Sequence, residues 1–153
     1  MKEKSIAELI NDNDLDILAL TETWLSHEED PSIELMKPPG YTFKHNPRDT
    51  RGGGVGLLFR ESYKITKVKS KKYKSFEHHT IGLSHGSESI RITTFYNPDG
   101  VCSDEFSVDL NEFLNKLLTN NNVHHLILGD FNFHMDVPSD SNVKKFLEIL
   151  DIF

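Results

Sequence analysis

The stretch that decides the fold is Leu126-Ile127-Leu128-Gly129-Asp130-Phe131-Asn132, because an apolar run ends there in a polar turn that carries a carboxylate. The same design occurs earlier, in Asp16-Ile17-Leu18-Ala19-Leu20-Thr21-Glu22-Thr23-Trp24. Continuous apolar runs of this length predict strands that are buried on both faces. We therefore expect Glu22 and Asp130 to converge at one edge of a sheet sandwich. Mg²⁺ suits such a pair, since it prefers oxygen ligands and usually takes only one or two carboxylates.

The composition is that of one globular domain. The chain has 153 residues, of which 37% are hydrophobic and ten are Phe, and this is enough for a substantial core. The single cysteine, Cys102, excludes an intramolecular disulfide and indicates a reducing compartment. No segment resembles a signal peptide or reaches the length of a membrane span. We expect an intracellular protein that is not secreted and has no membrane partner.

The charge of the chain limits its partners. The formal net charge is −7 with His neutral, so general attraction to phosphate backbones is weak and a passive nucleic-acid-binding protein is disfavoured. An enzyme that gathers acids around a metal is not excluded, because the metal reverses the local field. One basic stretch contains Lys64, Lys67, Lys69, Lys71, Lys72 and Lys74. It is more typical of a solvated edge strand that resists aggregation, and contact with nucleic-acid phosphates is the alternative.

The hydrophobic patterns predict alternating strands and helices. Helices are expected at Ile6–Ile10, at Phe106–Leu117 with Ser103 as N-cap, and after an N-cap at Ser141 or Asn142, with Val143, Phe146, Leu147 and Leu150 on its apolar face. Strands are expected up to Leu20, at Tyr41–His45, at Val55–Phe59, in a hairpin between Tyr63 and Phe95, and up to Leu128. This order favours sheets covered by helices, in an α/β or α+β fold.

Two glycine-containing motifs do not carry the chemistry that they first suggest. Gly52-Gly53-Gly54-Val55-Gly56 lacks the spacing of a nucleotide-binding loop and precedes a strand. We expect its backbone to pass close to a neighbouring segment. Gly82-Leu83-Ser84-His85-Gly86 matches the nucleophile-elbow pattern, but a strand follows where a helix is needed, so it is predicted to be a hairpin turn. Histidine and cysteine spacings give no reason to expect a structural zinc site.

Each candidate site residue also has an ordinary structural interpretation. Glu22 alone is typical of a solvated loop residue. Gly129–Asn132 has the composition of an Asx turn. Tyr96, beside the turn at Asn97-Pro98, could simply pack with its hydroxyl at the rim. His134 is the one histidine placed near the predicted site.

The motifs are much more specific in combination. They occur in one order, as Leu20-Thr21-Glu22-Thr23-Trp24-Leu25, Arg51-Gly52-Gly53-Gly54-Val55-Gly56, Phe95-Tyr96-Asn97-Pro98 and Leu128-Gly129-Asp130-Phe131-Asn132. The chain thereby resembles the endonuclease/exonuclease/phosphatase superfamily, and within it the apurinic-type endonuclease domains of non-LTR (LINE-like) retrotransposons. The resemblance implies a four-layer α/β sandwich of two facing mixed β-sheets flanked by helices. It also implies hydrolysis of a DNA phosphodiester with Mg²⁺, or alternatively Mn²⁺, and it allows a nuclear location.

The resemblance assigns a role to four residues. Glu22 corresponds to the metal-binding glutamate, and Tyr96 to the tyrosine that contacts the scissile phosphate. Asp130 corresponds to the aspartate that positions or activates the attacking water at the metal, and Asn132 to its partner in orienting phosphate and water. The set is thus Asp130, Asn132 and Tyr96 as catalytic residues, with Glu22 and Asp130 at the metal.

The resemblance also implies a first strand with an asparagine and a last strand with an aspartate and a histidine, which residues 1–153 do not show. His134 lies in a different loop and is not expected to replace that histidine. We expect a partial domain, incomplete at both termini, with weak or no turnover. Its open sheet edges should favour oligomerisation. The alternatives are a phosphatase or phosphodiesterase of the same superfamily acting on lipid or inositol phosphates, and a non-catalytic remnant or incomplete gene model.

Overall fold

The structure is a computed structural model and describes residues 2–48, 52–68, 70–119 and 123–153. Arg51 of the glycine-rich motif and Lys69 of the basic stretch lie outside the described residues. The elements in chain order are α1 (Lys2–Asn13), β1 (Ile17–Thr21), α2 (Ser32–Met36), β2 (Tyr41–Asn46), β3 (Val55–Arg60), β4 (Lys64–Lys67), β5 (Glu77–His85), β6 (Glu88–Tyr96), α3 (Asp104–Leu118), β7 (His124–Asp130) and α4 (Ser141–Leu150).

The strands form two sheets. The first sheet has the order β1-β3-β2 and is antiparallel throughout. The second has the order β4-β5-β6-β7, and only its β6–β7 pair is parallel. A parallel pair needs a crossover connection, which α3 supplies here. Because β6 and β7 run in the same direction, both end at the same edge of the second sheet.

Three apolar clusters hold the layers together. One lies between the two sheets and contains Leu57, Phe59, Ile81, Leu83 and Ile92. A second packs α3 and α4 against the second sheet through Phe76, Phe95, Phe106, Leu110, Phe113 and Phe146, among others. The third packs α1 and α2 against the first sheet through Ile10, Met36, Phe43 and Leu58. The order of layers is helices, sheet, sheet, helices, and the predicted four-layer α/β sandwich is confirmed.

The predicted helices are present, and α4 differs from the prediction in its N-cap and in its apolar face. In α3 the Ser103 hydroxyl caps the helix by accepting the Phe106 N–H at 3.1 Å, as predicted. In α4 the N-cap is neither Ser141 nor Asn142 but Asp140, whose carboxylate accepts the amides of Asn142 and Val143. A carboxylate satisfies free N–H groups and also interacts favourably with the helix dipole.

The apolar face of α4 also differs from the prediction. Its buried residues are Val143, Phe146 and Ile149, whereas Leu147 and Leu150 are both exposed. The short helix α2 was not predicted, because five residues are too few to show a helical period.

The predicted burial of the two key strands was wrong. β1 and β7 are edge strands of their sheets, and both are only half-buried. The strand that is buried along its length is β3, at the centre of the first sheet. An apolar run indicates apolar neighbours on its faces but does not fix its lateral place in a sheet. The edge position predicted for the basic stretch is confirmed for β4, while association through open edges stays a prediction.

Candidate active site

The candidate active site begins with one row of residues across the second sheet. Glu77, Tyr96 and Asp130 are register partners on the adjacent strands β5, β6 and β7. Side chains that are paired directly across strands lie on the same face. That face is directed at the first sheet, because Thr94, two residues before Tyr96, donates its hydroxyl to the Gly56 carbonyl at 3.1 Å. Two carboxylates therefore flank the tyrosine between the sheets.

A third carboxylate approaches from the first sheet. Glu22 directly follows β1, and its Oε1 accepts a hydrogen bond of 2.8 Å from the Tyr96 hydroxyl. Glu22 is exposed and has a φ of 52°, in the left-handed region that non-glycine residues rarely adopt. Strained backbone of this kind tends to persist at functional sites, where the surrounding structure enforces it. The Glu22–Tyr96 contact joins the two sheets.

The acidic surroundings affect the titration of Tyr96. Burial, followed by the hydrogen bond to Glu22 and the negative charges of Glu22, Glu77 and Asp130, raises the pKa of Tyr96 to about 12. The phenol consequently keeps its proton at physiological pH and can act only as a neutral hydrogen-bond donor or acceptor. The three carboxylates contribute to this rise, although burial of the phenol is its largest cause.

The turn after β7 is an Asx turn. The Asn132 N–H donates to Asp130 Oδ1 at 3.0 Å, and Asn132 has a φ of 55°. Only glycine can stand at position 129, since φ there is 145° and a Cβ would overlap the backbone of Phe95. The structural interpretation of Gly129–Asn132 is thus correct, and it fixes Asp130 beside Tyr96 at the strand end.

Asn97 is a site residue to which the sequence analysis assigned no role. Its side chain is fully buried and donates to the Phe131 carbonyl at 3.1 Å, while its own carbonyl accepts the Asn132 side-chain amide at 2.8 Å. Its N–H also donates to the Asp130 carbonyl at 2.9 Å. These bonds tie the end of β6 to the turn after β7. The signal in the sequence is its place directly after the candidate Tyr96.

Glu77 is the second residue that sequence reasoning missed. Its Oε2 accepts the Gly54 N–H at 2.8 Å, and its Oε1 lies 2.9 Å from Arg48 Nη1. In turn, the Gly54 carbonyl accepts the Thr23 N–H at 3.2 Å. No motif marks Glu77, so only the register of β5 against β6 could have identified it.

The glycine-rich segment has the structural role that was predicted for it. Gly53 and Gly54 both have positive φ values, and a Cβ on Gly54 would stand 2.5 Å from Thr23 Oγ1. The Gly53 carbonyl also accepts the Trp24 N–H at 2.9 Å. The segment therefore passes close against the turn that carries Glu22. His134, by comparison, lies exposed in the loop that follows Asn132.

The donors at the site suit a hard cation. Glu22 accepts the Tyr96 hydroxyl and Asp130 is the register partner of Tyr96 on β7, so two carboxylates lie around the phenol. Within the described ranges, no three or more His, Cys, Asp or Glu side chains form a group that could hold a metal by themselves. Mg²⁺ does not need such a cage, since it keeps several waters and takes the rest of its ligands from substrate phosphate. The residues present therefore fit Mg²⁺.

The fold and the position of the acidic site place this protein in the class of four-layer α/β sandwich proteins. Within this class the chain belongs to the Endonuclease/Exonuclease/phosphatase family, whose sequence profile matches residues 2–147. Comparison with curated proteins gives no match.

Several solved structures share the fold. The catalytic domain of human Nocturnin, with a bound sulfate anion, has a TM-score of 0.71 and 18% identity over 95% of this chain and 60% of its own. A mannosyl-6-phosphatase from Bacteroides thetaiotaomicron has a TM-score of 0.68 and 17% identity over 95% of this chain and 61% of its own. D. rerio TDP2, complexed with single strand DNA product, has a TM-score of 0.66 and 14% identity over 97% of this chain and 57% of its own. The chain thus spans about three-fifths of the length of these proteins.

Among the described residues, no helix combines the length and the apolar character that crossing a bilayer requires.

Proposed function

We propose that this chain carries a Mg²⁺-dependent phosphodiester hydrolase site that nicks DNA, of the kind found in retroelement endonucleases. The observation that carries the proposal is the hydrogen bond of 2.8 Å between Tyr96 and Glu22, which joins the two sheets beside Asp130. Membership of the Endonuclease/Exonuclease/phosphatase family supports the same chemistry. The Thr21-Glu22-Thr23-Trp24 motif and the glycine-rich segment support the retroelement type.

Glu22 and Asp130 are the residues that would hold the metal, Mg²⁺ or alternatively Mn²⁺. When bound, such an ion supplies Lewis-acid polarisation of a phosphoryl oxygen and stabilises the leaving oxygen. Family members generally use divalent metal ions, which agrees with this assignment.

The other roles follow from the protein groups. Tyr96 remains protonated because its pKa is about 12, so its hydroxyl can donate to a non-bridging phosphate oxygen. Asp130 has one oxygen engaged by the Asn132 N–H, and we assign its second oxygen to accepting a hydrogen bond from the attacking water. Asn132, held by its bond to the Asn97 carbonyl, is assigned to orienting the phosphate. In-line attack depends mainly on such positioning and on electrostatic stabilisation.

DNA is the proposed substrate, and the D. rerio TDP2 complex with single strand DNA product supports it. A second candidate is a phosphatase or phosphodiesterase acting on lipid or inositol phosphates. The likeness to a mannosyl-6-phosphatase favours that alternative, because a phosphatase carries the same fold. A non-catalytic remnant is the third hypothesis.

Nicking of supercoiled plasmid tests the proposal directly. In keeping with the weak turnover expected above, the full chain should nick plasmid slowly with Mg²⁺ or Mn²⁺ and not with EDTA. Asp130→Ala should lower this rate at least about 100-fold, as loss of one member of a coupled site does. Asp136→Ala is the matched control, because Asp136 is an exposed aspartate in the same loop. Circular dichroism confirms that each variant is folded.

Metal binding can be measured without turnover. Trp24 is the only tryptophan, is 57% exposed and lies two residues after Glu22, so Mn²⁺ at the site should quench its fluorescence. Quenching that Asp130→Ala weakens, with no nicking, would identify a remnant. Hydrolysis of p-nitrophenyl phosphate in place of plasmid would favour the phosphatase.

A further inference from the structure

A groove lies beside the site, between the edge strand β2 of the first sheet and the β4–β5 side of the second. We call it the side groove. It is lined by Lys44, His45 and Arg48 on one wall and by Lys72, Lys74 and His79 on the other. Its volume is about 1020 Å³, which is the upper limit for typical small-molecule sites. Its size suits an extended ligand better than a compact metabolite.

The side groove is basic although the protein is acidic. Its lining includes five basic residues and two acidic ones, whereas the whole sequence has 17 basic and 24 acidic residues. Arg48 pairs with Glu77, and Lys71 pairs with Glu112 at 2.7 Å. The ion pairs found in the described part of the chain involve none of the other three lysines, which are Lys44, Lys72 and Lys74. Three positive charges are therefore available to an anionic ligand.

The groove also contains polar atoms that need partners. His45 Nδ1 and His79 Nδ1 are buried and have no hydrogen-bond partner among the described residues, and both residues line the groove. Buried polar atoms are nearly always paired with protein, water or a ligand, since leaving one unpaired is costly. The His79 ring also has a hydrogen bond to the Lys44 backbone, so His45 Nδ1 is the observation, independent of the lysines, that favours a polar ligand here.

The side groove leads to the candidate active site. Glu77 and Arg48 belong to its lining, and Glu77 stands in the row beside Tyr96. Pro98, two residues after Tyr96, also lines it. A chain lying in the groove would thus reach the tyrosine at one end. This continuity favours a polymeric ligand whose cleaved bond lies at the site.

We propose that the side groove binds the phosphate backbone of a single nucleic-acid strand that flanks the cleaved phosphate. The groove is an opening of about 1020 Å³ between the edges of two facing sheets, and we expect a space of this size and place to accommodate one extended strand rather than a duplex. A cationic groove that follows the backbone is the usual means of binding single strands without sequence preference. The proposal rests on the proposed function only in taking nucleic acid as the substrate.

Fluorescence anisotropy of a labelled oligothymidylate, with EDTA to prevent cleavage, tests the proposal on the full chain. The double variant Lys72→Ala/Lys74→Ala should bind about tenfold more weakly. The slope of its log binding constant against log salt concentration should become about 1.4 less steep, since each phosphate contact on a single strand contributes about 0.7 to that slope. The matched control is Lys144→Ala/Lys145→Ala on α4, which lies outside the groove. All four lysines are on the surface, where such changes alter stability little.

Three results would overturn the proposal. The first is equal oligothymidylate affinity in both double variants. The second is a duplex that binds as tightly as the single strand and whose affinity falls by the same factor in Lys72→Ala/Lys74→Ala. The third is a Lys72→Ala/Lys74→Ala variant that loses affinity for polyglutamate but keeps its affinity for oligothymidylate, which would indicate an acidic peptide as the ligand. Hydrolysis of bis(p-nitrophenyl) phosphate with Mg²⁺ separates this test from the proposed function, because so small a substrate does not need the groove. Groove-dependent binding without that hydrolysis would remove the proposed function and leave the groove proposal standing.

Discussion

Replacing Glu77 by alanine should both destabilise the fold and weaken the candidate site. The Glu77 carboxylate is 22% exposed, accepts the Gly54 N–H at 2.8 Å and pairs with Arg48 at 2.9 Å. Loss of a hydrogen bond to a charged group costs about 1.5–3 kcal/mol. The ion pair adds less than about 1 kcal/mol, because the Arg48 side chain is 39% exposed and solvent screens the interaction. We expect a total loss of about 2–3 kcal/mol.

The effect on the site follows from the same contacts. Glu77 holds Gly54, and the carbonyls of Gly53 and Gly54 hold Trp24 and Thr23 directly after Glu22. Without the carboxylate, the strained backbone of Glu22 loses its support, so Mn²⁺ affinity should fall even though Glu77 is not assigned as a ligand. Glu77→Gln keeps an oxygen that can accept the Gly54 N–H and should recover much of both losses.

Two measurements check the prediction. Thermal unfolding should show Tm lowered by about 4–12 °C in Glu77→Ala, at about 2–4 °C per kcal/mol for a domain of this size. Quenching of Trp24 fluorescence by Mn²⁺ reports the affinity. Glu112→Ala is the matched control, since Glu112 bridges Lys71 and Lys116 on the surface away from the site. Glu77 does not support the Glu22 turn if Glu77→Ala behaves like Glu112→Ala in both measurements, or if Glu77→Gln recovers stability but not Mn²⁺ affinity.

Three further predictions concern single residues. Burial lowers the pKa of His79 from 6.5 to about 4, so the unfolded chain takes up the proton first as pH falls through this window. Urea titrations should therefore show that the free energy of unfolding decreases by up to about 3 kcal/mol between pH 6.5 and about 4. His79→Gln should largely remove this decrease. Gly129→Ala forces a Cβ into the backbone of Phe95 and should lower the free energy of unfolding by at least about 2 kcal/mol. Gly86→Ala has open space around the added Cβ and should lower it by only about 1 kcal/mol. Equal Tm values for the two variants would contradict this prediction. Tyr96→Phe removes the donor to Glu22 and should lower nicking about 100-fold while circular dichroism stays unchanged; full activity would exclude the assigned role of the phenol.

The sequence was sufficient for features that depend on neighbours in the chain. The face of α3 from Phe106 to Leu117 follows from its period, and Ser103 follows from capping chemistry. The strand ends at Glu22 and Asp130 follow from an apolar run that stops at a carboxylate. The resemblance added that these ends and Tyr96 belong together, and the structure places Glu22 against Tyr96 and Tyr96 beside Asp130.

Features that depend on long-range pairing could not be predicted in this way. Whether β1 and β7 lie at an edge or at the centre is set by which strands pair with them, and an apolar run is compatible with both. Glu77 enters the site only because β5 pairs with β6 in one register, and a slip of one residue would turn it to the opposite face. For α4 the difficulty was local, because Asp140, Ser141 and Asn142 are all good capping residues.

The bond between Tyr96 and Glu22 has a consequence for how the protein folds, because it spans 74 residues of sequence. The β5–β6 hairpin needs only a short loop and can form early, whereas contacts between distant segments are slow because loop closure must precede them. During synthesis Glu22 leaves the ribosome long before Asp130 exists, so a nascent chain holds a formed hairpin and no assembled site. We therefore expect the contact between Glu22 and Tyr96, and with it the candidate site, to form only at a late folding step.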